Sequence, residues 1–334
     1  MKLADDCEKN EKAFTNVTEG KVLGIWFNSE DLTWKLPVGK KEKTLRSIHV
    51  VLYSESVTLL DMQMLMGNLN NVSLMCPFLN GFRRNLNNCL SAGAINEFIT
   101  VSSNAKRDLL VWAGFLLDPT CENNIPSCPS NPTISHKTFT SDAAGYASDC
   151  DVGRPGVASI GFDEEGKIIF AFQKLWNKEM ISGLKDNKGK DFGRKTAFLE
   201  FVGIIIPFLL MPKELQNQHV VLRVDNISCH YGWLNKSMKN DAYTSILLRA
   251  LHMISNYLCS IIHVQHLPRE STWDSRLVDR MSRESSMTQD GKKLLDSFRD
   301  FVLPVFFVKW LDSPTEDWNI ALQLLDFVKT IVSE

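Results

Sequence analysis

The sequence predicts an α/β fold, a mixed β-sheet with flanking helices, preceded by a small hairpin-plus-helical domain. Three observations carry this. Residues 138–283 read as three consecutive strands followed by helix, strand, helix, strand and helix, the order of a mixed sheet with helices on both faces. Residues 21–117 read instead as a strand pair followed by a small helical bundle. Between them, residues 118–137 (DPTCENNIPSCPSNPTISHK) are rich in Pro, Asn and Ser, lack periodicity and mark a domain boundary.

A chain of 334 residues has room for about two domains. With 44% apolar and 23% charged residues it is an ordinary globular sequence, which excludes a disordered one. The formal net charge of −2 excludes binding nucleic acid by overall charge, so any such surface must be local or supplied by another domain. Eight scattered cysteines without a CxxC pair read as reduced thiols of an intracellular protein. Cys121, Cys128 and His136 share one loop, but their spacing fits no standard zinc pattern. The first residues, MKLADDCEKNEK, lack the apolar core of a signal peptide. The most apolar run, Ala197 to Met211, contains Glu200 and Pro207 and falls short of the ~20 residues of a membrane span. It is expected to be a buried helix, and no membrane association is expected.

In chain order, residues 21–37 (KVLGIWFNSEDLTWKLP) predict a hairpin, with a polar turn at Asn28 to Asp31 between apolar runs. Leu45, Ile48 and Leu52 fall on one face of a first helix. Thr58 then caps a second helix carrying Leu59, Met62, Leu65, Met66 and Leu69. A third is expected around Phe78 to Leu90, and a fourth from Ser103, carrying Leu109, Leu110, Trp112, Phe115 and Leu116. In the second half, strands are expected at Phe139 to Ala143, Val157 to Phe162 and Lys167 to Leu175, the last two joined by the Asp163-Glu164-Glu165-Gly166 turn. A helix from Arg194 to Leu210, bent or ended near Pro207, is followed by a strand at His219 to Asp225. A helix at Asp241 to Tyr257, a strand at Ser260 to Leu267 and a helix from Trp273 to Arg283 complete the domain. Residues 284–334 turn amphipathic and aromatic, and read as helices that pack on the core or on a partner.

Four acids stand in or beside apolar sequence, where a carboxylate is unfavourable unless its charge is offset. Asp142 ends the strand in Thr138 to Gly145 (TFTSDAAG), Glu200 lies within AFLEFVGIII, Asp225 ends VVLRVD, and Asp279 lies in RLVDRMSR. Each has an ordinary reading: a turn residue, an ion pair with Arg194 or Lys195, a strand-end acid, and a surface ion pair among Arg276, Arg280 and Arg283. Together, drawn from two strand ends and two helices, they suit a site in which divalent ions offset the charge and assist phosphoryl transfer.

The order of acid-ending strand, Glu helix, VDN strand and VDRMSR helix resembles the ribonuclease H domain of retroelement reverse transcriptases. DRMSR is similar to the ADxLSR ending of those domains. Residues 21–117, through VLGIWF, LTWKLP, LLDMQMLMGNLN and RDLLVWAGFL, resemble the thumb and connection region, particularly of DIRS-like retrotransposons; the LQ-x-L-x-G-x-LN core stands at Met62 to Asn70. The resemblance implies residues 1–117 as a thumb/connection remnant, 118–137 as a linker, 138–283 as a ribonuclease H-like domain and 284–334 as a helical extension. It implies cleavage of RNA in an RNA–DNA hybrid with two Mg²⁺ ions, Mn²⁺ being the alternative. Asp142 would bridge the ions, with Glu200 and Asp225 on one and Asp279 on the other, all four being catalytic as well as metal ligands. His266 would match the family's product-release His, with His263 competing for the role. Asn226 and the basic stretch holding Lys188, Lys190 and Lys195 would meet nucleic acid, and Lys35 to Arg46 is a second basic stretch.

There are departures from the family pattern. Val278 replaces the usual Ala, the loop Tyr146 to Pro155 is long, and His266 stands further from Asp279 than in the compact form. Asp5-Asp6 lies too close to Leu23-Gly24-Ile25 to be a polymerase aspartate pair. No polymerase activity is expected from this chain alone, and the missing polymerase domain of the same polyprotein is the expected partner. The competing reading is an inactive or co-opted remnant that binds nucleic acid or protein. Asp142-Ala143-Ala144 lacks the Asp-x-Glu of a DEDD exonuclease, and Glu comes second, not last as in a DDE transposase.

Overall fold

The computed structural model describes residues 19–22, 25–28, 30, 33–74, 76–91, 98–117, 125–126, 136–145, 154–177, 196–238, 242–268, 271–317 and 319–334. The chain divides into two units, Met1–Ser130 and Asn131–Glu334. Among the described residues no helix is long and apolar enough to cross a membrane.

In the first unit, strands β1 (Glu19–Val22), β2 (Ile25–Asn28) and β3 (Thr33–Lys35) form an antiparallel meander. The expected hairpin is thus two hairpins, because the run from Val22 to Phe27 folds back on itself and Val22 pairs with Ile25. Helices α1 (Val38–Tyr53) and α2 (Leu59–Ser73) follow, joined by β4 (Ser56–Thr58). Thr58 caps α2 by accepting the Asp61 amide at 3.1 Å. On α1 the buried face is Thr44, Ile48 and Val51, rotated from the expected stripe through Leu45 and Leu52. The expected third helix is a 3₁₀ segment, Pro77–Phe82, followed by α3 (Arg84–Ser91). β5 (Phe98–Thr100) pairs with β4, α4 (Ser103–Leu117) completes the bundle, and β6 (Ile125–Pro126) pairs with β3. Trp112, fully buried in this bundle, donates its indole N–H to the Phe82 carbonyl at 3.2 Å, so its polar atom is satisfied inside the core.

The second unit is built on a five-stranded sheet. Strands β7 (His136–Ala143), β8 (Gly156–Phe162) and β9 (Ile168–Leu175) form an antiparallel meander. Helix α5 (Thr196–Leu210) leads to β10 (His219–Val224), which lies parallel to β7. Helices α6 (Ile227–Asn235) and α7 (Ala242–Tyr257) lead to β11 (Ile261–His266), parallel to β10, so the strand order is β11-β10-β7-β8-β9. Helix α8 (Trp273–Met281) packs on the opposite face from α5, and α9 (Gln289–Ser297), α10 (Val305–Asp312) and α11 (Asn319–Ser333) follow.

Strand alternation explains the layers. Every residue of β8 is buried because both faces are covered. Ala158, Ile160 and Phe162 meet Val278 and Met281 of α8, while Val157 lies under α5. Helix α5 is buried on all sides because α7 and α11 close over its outer surface. It continues past Pro207 to Leu210, the expected end: burial of Phe208 and Leu209, each 0% exposed, outweighs one missing hydrogen bond. Helix α6 had no counterpart in the sequence reading. Its Asn226 cap accepts the Ser228 and Cys229 amides at 2.8 and 3.3 Å, a signal lost in the shadow of the preceding Asp225.

Candidate metal centre

The centre assembles at the carboxyl ends of β7 and β10, beneath the first turn and a half of α5. Asp142 is the penultimate residue of β7 and faces α8, since it alternates with Thr140, whose hydroxyl donates to Asp274 of that helix. Asp225 immediately follows β10. Glu200 comes from α5, and Gly203, one turn later, lets that helix lie close to the sheet. A Cβ at Gly203 would stand 2.9 Å from Val157 and 3.0 Å from Ser141. Asp142, Glu200 and Asp225 each offer one carboxylate oxygen, and these oxygens all lie within 4.8 Å of one another.

Asp279 joins them differently. It lines the same cavity as Asp142 and Asp225, and its charge acts on Asp142, but its carboxylate is paired with Arg283 at 2.7 Å. Ser282, fully buried, donates to Asp142 Oδ2 at 2.6 Å and lies 2.9 Å from the Asp279 carbonyl. The Ala143 amide donates to Glu200 Oε1 at 3.2 Å. Ionised, Glu200 leaves Oε2 buried without a donor among the described residues; protonated, it hydrogen-bonds to Asp225.

The electrostatics follow from crowding. Burial pushes the Asp142 carboxyl up to about 6; the Ser282 hydroxyl opposes this, Asp225 and Asp279 add to it, and Arg283 opposes it. Burial also holds Glu200 well above the usual carboxylate range, with the charges of Asp142 and Asp225 acting in the same direction. Buried carboxylates that ionise reluctantly, offer oxygen alone and leave one oxygen without a donor are a fitting ligand set for a hard divalent cation.

His266 pairs in register with Val224, and its Nε2 meets the Asp225 backbone carbonyl at 3.0 Å, which fixes the ring beside the strand end. His263 lies back along β11 opposite Val221, stacked on His219 at 6.5 Å, and away from the carboxylates. Asn226 spends its side-chain oxygen on the α6 cap. Lys188, Lys190 and Lys195 lie outside the described residues. Sequence reading missed Ser282, Arg223 and Asp274. Ser282 lies inside the DRMSR string; Arg223 occupies an alternating position of VVLRVD and Asp274 the first turn of a helix, and neither place carries a local signal of a site.

No family model matches the chain, and no curated protein sequence matches it. Among solved structures it is similar to LC11-RNase H1, isolated from compost by a metagenomic approach, at 15% identity over 44% of this chain and 91% of that one, with a TM-score of 0.32. A complex of LC11-RNase H1 with an RNA/DNA hybrid aligns at 12% identity over 42% and 92%, TM-score 0.32. The foamy viral protease-reverse transcriptase dRH in complex with ds DNA aligns at 13% identity over 75% of this chain and 38% of that one, TM-score 0.27. The fold class stands on the strand order and directions above: a ribonuclease H-like mixed five-stranded sheet with flanking helices.

Proposed function

We propose that the Asn131–Glu334 unit is a metal-dependent endonuclease that hydrolyses the RNA strand of RNA–DNA hybrids. In this reading the chain is the carboxy-terminal part of a retroelement reverse transcriptase, similar to those of DIRS-like elements. Residues 1–117 are the thumb/connection remnant, 118–137 the linker, 138–283 the nuclease and 284–334 its helical extension; the partner is the polymerase domain of the same polyprotein. The observation that carries the proposal is the convergence of Asp142, Glu200 and Asp225, with Asp279 lining the same cavity.

Asp142, Glu200, Asp225 and Asp279 would hold the divalent ions, two Mg²⁺ (or Mn²⁺) in this reading. When bound, the ions supply an activated water and stabilise the leaving oxygen. The protein's own groups prepare the ligands. Ser282 orients Asp142, the Ala143 amide orients Glu200, His266 holds the Asp225 backbone, and Arg283 holds the Asp279 carboxylate in place. Hybrid selection would rest on 2′-hydroxyl contacts and helix shape, with Asn226, Lys188, Lys190 and Lys195 as proposed nucleic-acid contacts.

Replacing Asp225 by Asn preserves shape but removes a charge and weakens a ligand. Cleavage of a labelled RNA–DNA hybrid is expected to fall by orders of magnitude while hybrid binding is kept. Wild-type cleavage that persists in chelator, or an Asp225→Asn protein that cleaves like wild type, sinks the assignment. A wild type that binds hybrid and never cleaves it establishes the remnant reading instead.

A further inference from the structure

We infer that Arg223 and Trp273 form a nucleotide subsite beside the carboxylates, the guanidinium taking a backbone phosphate and the indole the adjoining nucleoside. This rests on the hybrid-nuclease reading and names the part of the substrate that this face of the sheet holds.

Arg223 stands on β10 two residues before Asp225 and on the same face of the strand. It lines the cavity of Asp142, Asp225 and Asp279, and it also lines an adjoining surface cavity walled by His136, Phe162 and Trp273; among the described residues no other belongs to both. Trp273 opens α8, is 54% exposed, and is braced edge-on by Phe162 at 5.6 Å. An exposed indole held rigidly at a cavity wall is a stacking platform.

Asp274 does not use up the guanidinium. Its Oδ2 lies 3.5 Å from Arg223 Nη1 and already accepts the Thr140 hydroxyl. The Asp274 carboxyl is held below its usual range although burial acts the other way; the hydroxyls of Thr140 and Thr272 do most of this, and Arg223 comes last. Arg223 Nε is buried and meets no acceptor among the described residues. A guanidinium presents five donors in a fixed planar fork, and the oxyanion that matches such a fork is a carboxylate or a phosphate. Asp142 and Asp274 accept hydroxyls and Asp279 is paired with Arg283, and a nucleic acid brings phosphates.

Charge sets the direction. The catalytic cavity is acidic and repels a polyanion, so a cation at its edge offsets that repulsion. The far rim of the second cavity carries Asp163 and Glu164. The phosphate is therefore held at the Arg223 end, and the uncharged nucleoside spans toward Trp273.

The test uses the full chain with Asp225→Asn as parent, so that cleavage does not intervene, and measures binding of a labelled RNA–DNA hybrid across a salt series. Arg223→Gln should weaken binding about tenfold, as expected for one charge-assisted hydrogen-bonding group. It should also reduce the slope of log affinity against log salt by about 0.9, the value for one phosphate contact. Trp273→Ala should weaken binding by roughly fivefold or more with the slope unchanged, because stacking releases no counterions. Asp274→Asn keeps an acceptor for Thr140 and frees Arg223, so it should tighten binding by roughly two- to fivefold; a purely structural Arg223–Asp274 pair would give no gain. This last variant decides the matter if Arg223→Gln does not fold. A parent that binds no hybrid overturns the nuclease reading and the subsite together. A parent that binds, with Arg223→Gln keeping the full salt slope or Asp274→Asn weakening binding, overturns the subsite alone.

Discussion

At the scale of single residues, Asp142 shows how much of this site's character comes from burial. An aspartate titrates near ~3.9 in an unfolded chain, and burial raises Asp142 to about 6 in the folded protein. The folded state therefore binds this proton more tightly than the unfolded state. Its stabilising contribution is complete below the unfolded value and is lost as pH rises through about 6. In chelator, the stability of wild type relative to Asp142→Asn should fall between about pH 4 and about pH 7 in chemical denaturation. Divalent metal should remove that fall, because a cation then offsets the charge in place of the proton. A flat difference in chelator would mean that Asp142 ionises freely. His252 carries the opposite sign. Burial, and then the charge of Lys236, hold this imidazole well below its usual range. It lies stacked on Trp233 at 4.2 Å, with Nε2 lacking a partner among the described residues. The stability it contributes is present above the unfolded value of ~6.5 and is lost as pH falls below it. His252→Phe should flatten the acid side of the stability profile; an unchanged acid slope would count against it.

At the scale of elements, α5 positions the site because it lies close on the sheet. Glu200 reaches the Ala143 amide only because Gly203 lets the helix approach Val157 and Ser141. Gly203→Ala puts a methyl 2.9 Å from Val157 Cγ2, so something must shift. The expected cost is about 1–3 kcal/mol. Cleavage should fall further than the loss of folded protein explains, since Glu200 moves with the helix. Gly67 on α2 is the contrast. A Cβ there meets nothing within 4 Å, and Gly67→Ala should stabilise by about 0.5–1 kcal/mol through helix propensity. Denaturant midpoints for both variants, read beside cleavage rates, check the pair; an active, fully stable Gly203→Ala protein would show that close approach is not what places Glu200.

At the scale of the whole molecule, the helices after Arg283 form a layer of the second unit. Trp310 of α10 meets Phe198 of α5 edge-on at 5.7 Å, two residues from Glu200. Ile320, Ala321, Leu324 and Val328 of α11 are buried, and that helix packs on α7 and α5. Ending the chain at Arg283 should therefore uncover the outer apolar surfaces of α5 and α7 and abolish cooperative unfolding of the Asn131–Glu334 unit. Thermal melts of 131–283 against 131–334, with a dye that binds exposed apolar surface, make the comparison. A sharp melt from the shorter chain would show that the core closes without its tail.

Most of the strands and helices were legible because alternation and 3.6-residue periodicity are local properties: His219–Val224 reads as a strand and Leu59–Ser73 as a capped helix wherever they stand. The four acids stood out too, since a carboxylate set in apolar sequence is anomalous without knowing its neighbours, and three of them, Asp142, Glu200 and Asp225, converge in space. What depended on distance in space was not legible. The tie from Ser282 to Asp142 spans 140 residues and that from Thr140 to Asp274 spans 134, and no local pattern encodes either. Pro207 makes a bend or stop in helix α5 an equal expectation from backbone chemistry alone, and the helix continues to Leu210 because the sheet, α7 and α11 bury it. Sequence by itself determined which segments fold and which charges require an explanation, because those follow from each residue's own chemistry. Only the tertiary structure decided which carboxylates share a site, which hydroxyl orients them and which arginine is left with donors to spare, because burial and pairing arise when distant segments meet.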